Sequence, residues 1–205
     1  MTLQEMLIND KRKIDDSALS INRKELEYIN YINTHRYNIK YAYIKYGYIL
    51  VKSFSDEDDF NGFVRLYGRL ESRVNDHDDS KTASSEYDGY RMRFHPIEEE
   101  KDFATDDNPK FAAAWKHHYT NNDHHPEYYY IYEDDKPVDA KEMPIDAILE
   151  MALDWVAMGM SNGNSKAYDY YKKTKNKFIM HPESRKKFER CLNIIKAYDE
   201  ELDDM

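Results

Sequence analysis

The chain has a single cysteine, Cys191, among its 205 residues. A lone cysteine excludes an intramolecular disulfide and a thiolate metal cluster, and it fits a reducing cytoplasm. Glycine and proline are also scarce, with six of each, which excludes collagen-like and linker-like chains and favours long helices. No apolar run approaches the roughly 18 residues of a membrane span, and the N-terminal segment lacks an apolar signal-peptide core. We therefore expect a cytoplasmic protein that does not enter the membrane.

Basic side chains are outnumbered by acidic ones, 30 against 40, which gives a formal net charge of -10. This excess repels a phosphate backbone, so we expect no extended nucleic-acid partner. The sequence also lacks a Gly-rich phosphate loop and a Gly-x-Ser-x-Gly elbow. The sequence is instead rich in aromatic residues, with 19 tyrosines, 8 phenylalanines and 2 tryptophans. Their large apolar area can build a core although only 40% of the residues are hydrophobic.

The hydrophobic pattern predicts an all-α fold, a single bundle of six or seven helices. Residues 24–52 give the strongest signal, because mostly apolar side chains recur there at alternating steps of four and three along one helix face. Ser55 is the candidate N-cap of the next helix. The further helices are predicted at 55–75, 84–94, 110–119, 144–160, 164–178 and 182–203.

The remaining segments are predicted as connections. Residues 97–109 are acidic and rich in helix breakers, and residues 120–126 have turn composition. The aromatic run from Tyr128 onward fits either a strand or an extended lid. We divide the chain into an N-terminal extension, 1–23, and one helical domain, 24–205.

Histidine and aspartate supply the candidate chemistry. Five of the eight histidines fall between His77 and His125, and neutral imidazole is the commonest transition-metal ligand. His35 is a polar ring on the apolar stripe of the first helix, where a hydrogen-bonded core histidine is the alternative interpretation. Asp154 and Glu150 are the only charged residues in an apolar stretch, so they either face a polar pocket or form a buried salt bridge with an arginine or lysine.

An early helical histidine, an adjacent His-Asp pair and a later helical aspartate resemble the HD-domain metal-dependent phosphohydrolases. Here these residues are His35, His77, Asp78 and Asp154. The resemblance implies an all-helical bundle in which the four side chains hold a divalent metal. Manganese, iron, cobalt, nickel and zinc are the candidates, with magnesium as a further one, and one or two ions are expected.

Two longer motifs extend this resemblance. The string HDDSK is similar to the HDxGK form of HD phosphodiesterases, which implies that Lys81 meets a substrate phosphate; small nucleotidases of the superfamily carry an acid there. HDDSK, WKHHYTNNDHHP and the Asp154-Trp155 pair together resemble an uncharacterised family of phages and bacteria. A phage source would place the protein in the host cytoplasm.

The histidine-rich segment supplies the remaining candidates. In two-metal HD enzymes, histidines between the HD pair and the final aspartate bind the second ion, which implies His118, His124 and His125 as ligands. His118 is also a candidate general acid, and His124, His125 and Asn122 are candidates for binding substrate. His117 is expected to be more exposed than His118. Glu86 is interpreted as an exposed first-turn acid, with a catalytic base as the alternative.

The resemblance implies a metal-dependent phosphohydrolase or phosphodiesterase that acts on a nucleotide or cyclic nucleotide, with Asp78, Lys81 and His118 in catalysis. Two alternatives remain open. One is a catalytically silent protein of the same fold that binds a nucleotide or a host protein. The other is a di-iron oxygenase. The sequence does not indicate the oligomeric state.

Overall fold

The computed structural model describes residues 16–163 and 165–203. Within them the chain forms seven α-helices and one small antiparallel sheet. The helices are α1 (Asp16–Ser53), α2 (Phe60–Asp76), α3 (Tyr87–Phe94), α4 (Pro109–Asn121), α5 (Ile145–Ser161), α6 (Ala167–Thr174) and α7 (Pro182–Asp203). The strands are β1 (Tyr130–Glu133) and β2 (Lys136–Ala140), and short 3-10 helices occupy Asp79–Thr82, Glu98–Phe103 and Pro126–Tyr129. The all-α prediction is confirmed.

The centre of the bundle is the contact between α1 and α5, the most extensive in the protein. Helix α5 is the most apolar helix, and it is surrounded by α1, α2 and α7. Its side chains Ile148, Leu149 and Leu153 are fully buried, as is Ile39 of α1. A polar side chain between these two helices is therefore removed from water. This applies to His35 of α1 and Asp154 of α5, which are both buried.

Several helix boundaries differ from the sequence prediction; for example, the helix predicted at 164–178 extends only from Ala167 to Thr174. Helix α1 already begins at Asp16, inside the predicted N-terminal extension, of which residues 1–15 lie outside the described part of the chain. The prediction of Ser55 as the N-cap of α2 is wrong. The carboxylate of Asp59 caps this helix by accepting a 2.7 Å hydrogen bond from the Gly62 amide, whereas the Ser55 hydroxyl donates to the carbonyl of Val51.

Of the strand and the extended lid expected for the aromatic run from Tyr128, the structure has the strand, which is part of a β-hairpin. Strand β1 pairs with β2 in antiparallel register across a two-residue loop, Asp134 and Asp135. Both loop residues have positive φ angles, 47° and 59°. This is the backbone of a type I′ turn, which aspartate tolerates better than most residues.

Helices α3 and α4 approach each other closely at Gly89. A Cβ atom placed there would lie 2.6 Å from both Ala114 Cβ and the Lys110 carbonyl oxygen. This approach sets Glu86, just before α3, beside His118 of α4. Over the described residues, none of the helices combines the length and the apolar character that crossing a membrane requires.

Candidate metal centre

Four buried side chains from three parts of the fold come together, with Asp78 and Asp154 both close to the Nε2 atoms of His35 and His77. His35 lies on α1, His77 and Asp78 follow the end of α2, and Asp154 lies on α5. Nε2 of His35 is 3.1 Å from Nε2 of His77 and 3.0 Å from Oδ1 of Asp154. Donors that bind one ion at about 2.1 Å lie about 3.0–3.4 Å apart in octahedral or tetrahedral geometry. We call these four residues the first ligand set.

The backbone at Asp78 is strained, and its carboxylate is buried. This residue has φ 56° and ψ 24°, in the left-handed region, between α2 and the following 3-10 helix. A non-glycine residue pays roughly 1 kcal/mol for that conformation. Strain of this kind persists where the surroundings over-determine it, and here ion pairs of the carboxylate hold the residue in place.

The two carboxylate oxygens of Asp78 face different groups of imidazoles. Oδ2 lies 3.5 Å from Nε2 of His35 and 3.4 Å from Nε2 of His77. Oδ1 lies 3.3 Å from Nε2 of His118 and 3.7 Å from Nε2 of His124. Asp78 therefore has the geometry of a carboxylate that bridges two cation positions.

His125 joins Asp78, His118 and His124 in a group whose ligand atoms lie within 4.8 Å of one another. We call this group the second ligand set. Three buried polar atoms of the second ligand set have no hydrogen-bond partner within the described chain: Asp78 Oδ1, His124 Nε2 and His125 Nε2. Buried polar atoms are normally satisfied, so unpartnered donors of metal-ligand type fit a bound cation.

Two outer carboxylates orient the rings. Oε1 of Glu150 lies 2.8 Å from Nδ1 of His77 and 3.2 Å from Nδ1 of His124. Oε2 of Glu86 lies 2.9 Å from Nδ1 of His118. Each of these rings gives Nδ1 to a carboxylate and turns Nε2 towards Asp78. This carboxylate–histidine arrangement is typical of metal sites, where it fixes the tautomer and orientation of the ligand.

The alternative of a salt bridge between Asp154 and an arginine or lysine is wrong among the described residues, because its close partners are His35 and His77. The arginine partner belongs to Glu150. Nε of Arg73 lies 2.7 Å from Oε2 of Glu150. Glu150 and Asp154 of α5 thus contribute to the same polar site, where Asp154 lies beside His35 and His77 and Glu150 lies on the Nδ1 side of His77.

The charges of the site are strongly coupled. Burial alone would raise the pKa of the Asp78 and Asp154 carboxyls, but the neighbouring histidines, joined at Asp78 by a lysine, hold both well below the usual range. Burial would likewise lower the pKa of His77, but Asp78, Asp154 and Glu150 raise it to about 10. A cluster that draws protons onto imidazole carries excess negative charge, which is what a cation neutralises.

Lys81 lies beside the first ligand set. Its Nζ is 2.6 Å from Oδ2 of Asp78 and 5.5 Å from the centre of the Tyr90 ring. Burial alone would lower the pKa of this ammonium, but Asp78 raises it, so the group stays charged. Lys81 also lines an open cleft of about 860 Å³ that reaches Asp78 and Asp154.

Three other predicted residues have clear positions. Asn122 anchors the histidine-rich loop, because its amide donates to the Ser80 hydroxyl at 2.9 Å and the His118 carbonyl at 2.8 Å, and it lines neither cavity beside the centre. His117 is more exposed than His118, as expected. The interpretation of Glu86 as an exposed acid is wrong, because its side chain is fully buried between these two histidines.

A second, more enclosed cavity of about 420 Å³ adjoins the centre. It shares Asp154 and His125 with the open cleft. The two spaces therefore meet at the ligand sets. Aromatic rings line both of them, and the open cleft also contains two lysines. Together the two spaces provide room for a small organic ligand that extends to both sides of the centre.

Comparison with known proteins gives one match. The sequence model of DUF5662, a family of unknown function, matches residues 24–194. The chain belongs to this family. The match covers both ligand sets and the outer carboxylates Glu86 and Glu150. No curated protein and no solved structure matches the chain significantly.

Proposed function

We propose that the protein is a metal-dependent phosphohydrolase that cleaves a phosphoester of a nucleotide or cyclic nucleotide. The observation that carries the proposal is the split environment of Asp78, with His35 and His77 at one oxygen and His118 and His124 at the other. A carboxylate shared by two sets of nitrogen donors suits a pair of ions that act on one phosphoryl group.

The first ligand set would hold one ion and the second ligand set a second, with Asp78 common to both. Mixed imidazole and carboxylate donors favour manganese, iron, cobalt, nickel or zinc, with magnesium as a further candidate. When bound, such ions polarise a phosphoryl oxygen and lower the pKa of a coordinated water. The resemblance to HD-domain enzymes agrees with this assignment.

The chain's own groups would bind and orient the phosphate. Lys81 offers a permanently charged ammonium at the wall of the open cleft, where it offsets negative charge on a phosphoryl oxygen. Lys116 lines the same cleft, which also contains Asp78, Asp106 and Asp154. In a protein with a net charge of -10, bound cations together with these two lysines would attract an anion locally. We place this activity in the cytoplasm because a single cysteine suits a reducing compartment.

The experiment that tests the proposal measures metal content and turnover together. Protein purified without chelator is analysed for bound metals and then assayed for phosphate release from nucleoside monophosphates, and for ring opening of cyclic nucleotides and dinucleotides. Mn, Fe, Co, Ni, Zn and Mg are each added back. We expect bound metal and metal-dependent hydrolysis, both lost in His77→Ala and Asp154→Ala.

Two outcomes would contradict the proposal in different ways. Protein that binds no metal under any loading condition would be a binding module of this fold. Protein that binds iron and consumes oxygen without releasing phosphate would be a di-iron oxygenase, because the same histidine and aspartate donors suit that chemistry. Oxygen uptake is therefore recorded beside phosphate release.

A further inference from the structure

Four aromatic side chains contribute to the wall of the enclosed cavity beside the metal centre. Trp115, Trp155, Tyr170 and Phe178 line it, together with Met151 and Met158. The ring of Trp155 lies 5.4 Å from that of Tyr170 and 5.8 Å from that of Phe178, measured between centroids. Its volume of about 420 Å³ falls within the range of small-molecule sites. We call it the aromatic cavity.

The aromatic cavity opens onto both ligand sets. Asp154 of the first set and His125 of the second lie in its wall, and the Trp115 ring stands 5.1 Å from the His125 ring. A ligand with its phosphate at the metal centre would therefore extend its other end among these rings. Stacking between aromatic side chains is how proteins commonly hold a nucleobase.

Besides Asp154, one other acid lies in the wall of this cavity. Glu127 lies in the wall of the aromatic cavity, and burial raises the pKa of its carboxyl. Within the described residues no hydrogen bond or ion pair joins this carboxyl to another side chain, although the charge of His124 acts on it. The Asn162 side chain lines the same space. A half-buried carboxylate without a partner is most stable when a ligand brings it hydrogen-bond donors.

We propose that the aromatic cavity binds the guanine base of a nucleotide, with Glu127 accepting hydrogen bonds from the base. This proposal rests on the proposed function for the position of the phosphate. A carboxylate is an acceptor with two oxygens, and guanine presents two adjacent donors, the ring N1–H and the 2-amino group. Adenine presents an acceptor at N1, and hypoxanthine has the N1–H but lacks the 2-amino group.

The two tryptophans give a direct readout of base binding. The chain contains no others, and both line the aromatic cavity. Tryptophan fluorescence is titrated with GMP, IMP and AMP, using both metal-loaded and metal-free full-length protein, so that binding is measured whether or not hydrolysis occurs. We expect GMP to quench the fluorescence and to bind at least about tenfold more tightly than IMP, because IMP lacks one hydrogen bond to a charged acceptor.

Substitution of Glu127 tests whether this residue produces the preference for GMP over IMP. Glu127→Gln should bring the affinities for GMP and IMP to within about twofold of each other, because an amide cannot accept both donors. The matched control is Glu133→Gln, at an exposed position of β1, which should keep the full preference. Circular dichroism and the melting temperature verify that both variants are folded.

Some results would overturn the proposal while leaving the hydrolase intact. Phosphate release with equal affinity for GMP and IMP, or a GMP preference that survives in Glu127→Gln, would show that Glu127 does not read the base. No quenching by any of the three nucleotides would exclude the aromatic cavity as a base site. Conversely, a Glu127-dependent GMP preference without phosphate release would support the base site and contradict the hydrolase.

Discussion

Oε1 of Glu150 lies 2.8 Å from Nδ1 of His77, on the side of the ring that faces away from Asp78. The same oxygen lies 3.2 Å from Nδ1 of His124. One outer carboxylate therefore fixes a ring of the first ligand set and a ring of the second, while Arg73 holds its other oxygen. Glu150 therefore links the two ligand sets through His77 and His124, in addition to the link that Asp78 provides.

This coupling predicts the effect of Glu150→Gln. The amide removes the negative charge that raises the basicity of both rings, so metal affinity should fall by about 10- to 100-fold. Competition with a chromophoric chelator measures the change. Glu142→Gln is the matched control, because Glu142 pairs only with Lys187 on the surface. Equal affinities in the two variants would mean that Glu150 does not tune the ligands.

The number of ions bound should follow the ligand sets. We expect two ions in the wild-type protein and one in His118→Ala, because His118 belongs only to the second set. Asp78→Ala should bind none tightly, since it removes the donor that both sets share. Elemental analysis after gel filtration gives these ratios. A wild-type protein with one ion, unchanged in His118→Ala, would contradict a two-ion centre.

Lys81→Met separates phosphate binding from metal binding. The ammonium contacts Asp78 but belongs to neither ligand set, so the variant should keep its ions and lose about 10- to 1,000-fold in kcat/KM, in line with losing one group that stabilises developing charge. Lys116→Met, an exposed change in the same cleft, should cost much less. Metal loss in Lys81→Met would assign Lys81 to the structure of the centre instead.

Lowering the pH from 4.5 to about 2 should destabilise the metal-free protein, because Glu150 becomes protonated over this range. Burial alone would raise the pKa of Glu150, but hydrogen bonds from His124 and His77 lower it from 4.5 to about 2. A lowered folded-state pKa contributes stability that is complete above pH 4.5 and is lost as the pH falls towards 2. That contribution is about 3 kcal/mol.

Urea unfolding of the metal-free protein at pH 6, 4.5 and 3 measures this loss. Asp78 and Asp154 have lowered pKa values too and add to it. Glu150→Gln carries no titrating group at this position, so its stability should fall less between pH 4.5 and 3. Parallel curves for the two proteins would contradict the assignment.

Gly89→Ala tests how closely α3 and α4 must approach. The added methyl group would meet Ala114 and the Lys110 carbonyl at 2.6 Å, so the variant should lose about 1–3 kcal/mol of stability. Gly68→Ala is the control, because nothing lies within 4 Å of the corresponding position on α2. It should gain up to about 1 kcal/mol from helix propensity. Thermal or urea unfolding compares them.

The spacing of hydrophobic residues predicted the helices well, because it reflects which side chains of a helix are buried. The 24–52 stripe and the apolar segment at 144–160 became α1 and α5, whose contact forms the centre of the core. A strand was one of two alternatives for the aromatic run, but the second strand and the hairpin were not predicted, because the strand residues are largely exposed and show no clean alternation. The Asp134–Asp135 pair was the available signal, since two consecutive turn-forming residues between possible strands favour a type I′ loop.

The ligands could be predicted in part because motif order carries information about them. His35, His77, Asp78 and Asp154 were proposed together, and the structure brings them together. The roles of Glu86 and Glu150 could not be derived in the same way. Which ring an acid supports depends on how α3 meets α4 and how α5 meets α2, and those contacts are not encoded in local sequence.

The donors of the first ligand set are spread over most of the chain, from His35 to Asp154, a span of 119 residues (154 - 35). A ribosome that adds about 5–20 residues per second needs roughly 6–24 s to make that stretch. During this interval the nascent helix α1 carries its histidine without the aspartate that completes the site. A metal ion could therefore bind the complete first ligand set only after Asp154 has been made, late in the synthesis of the chain.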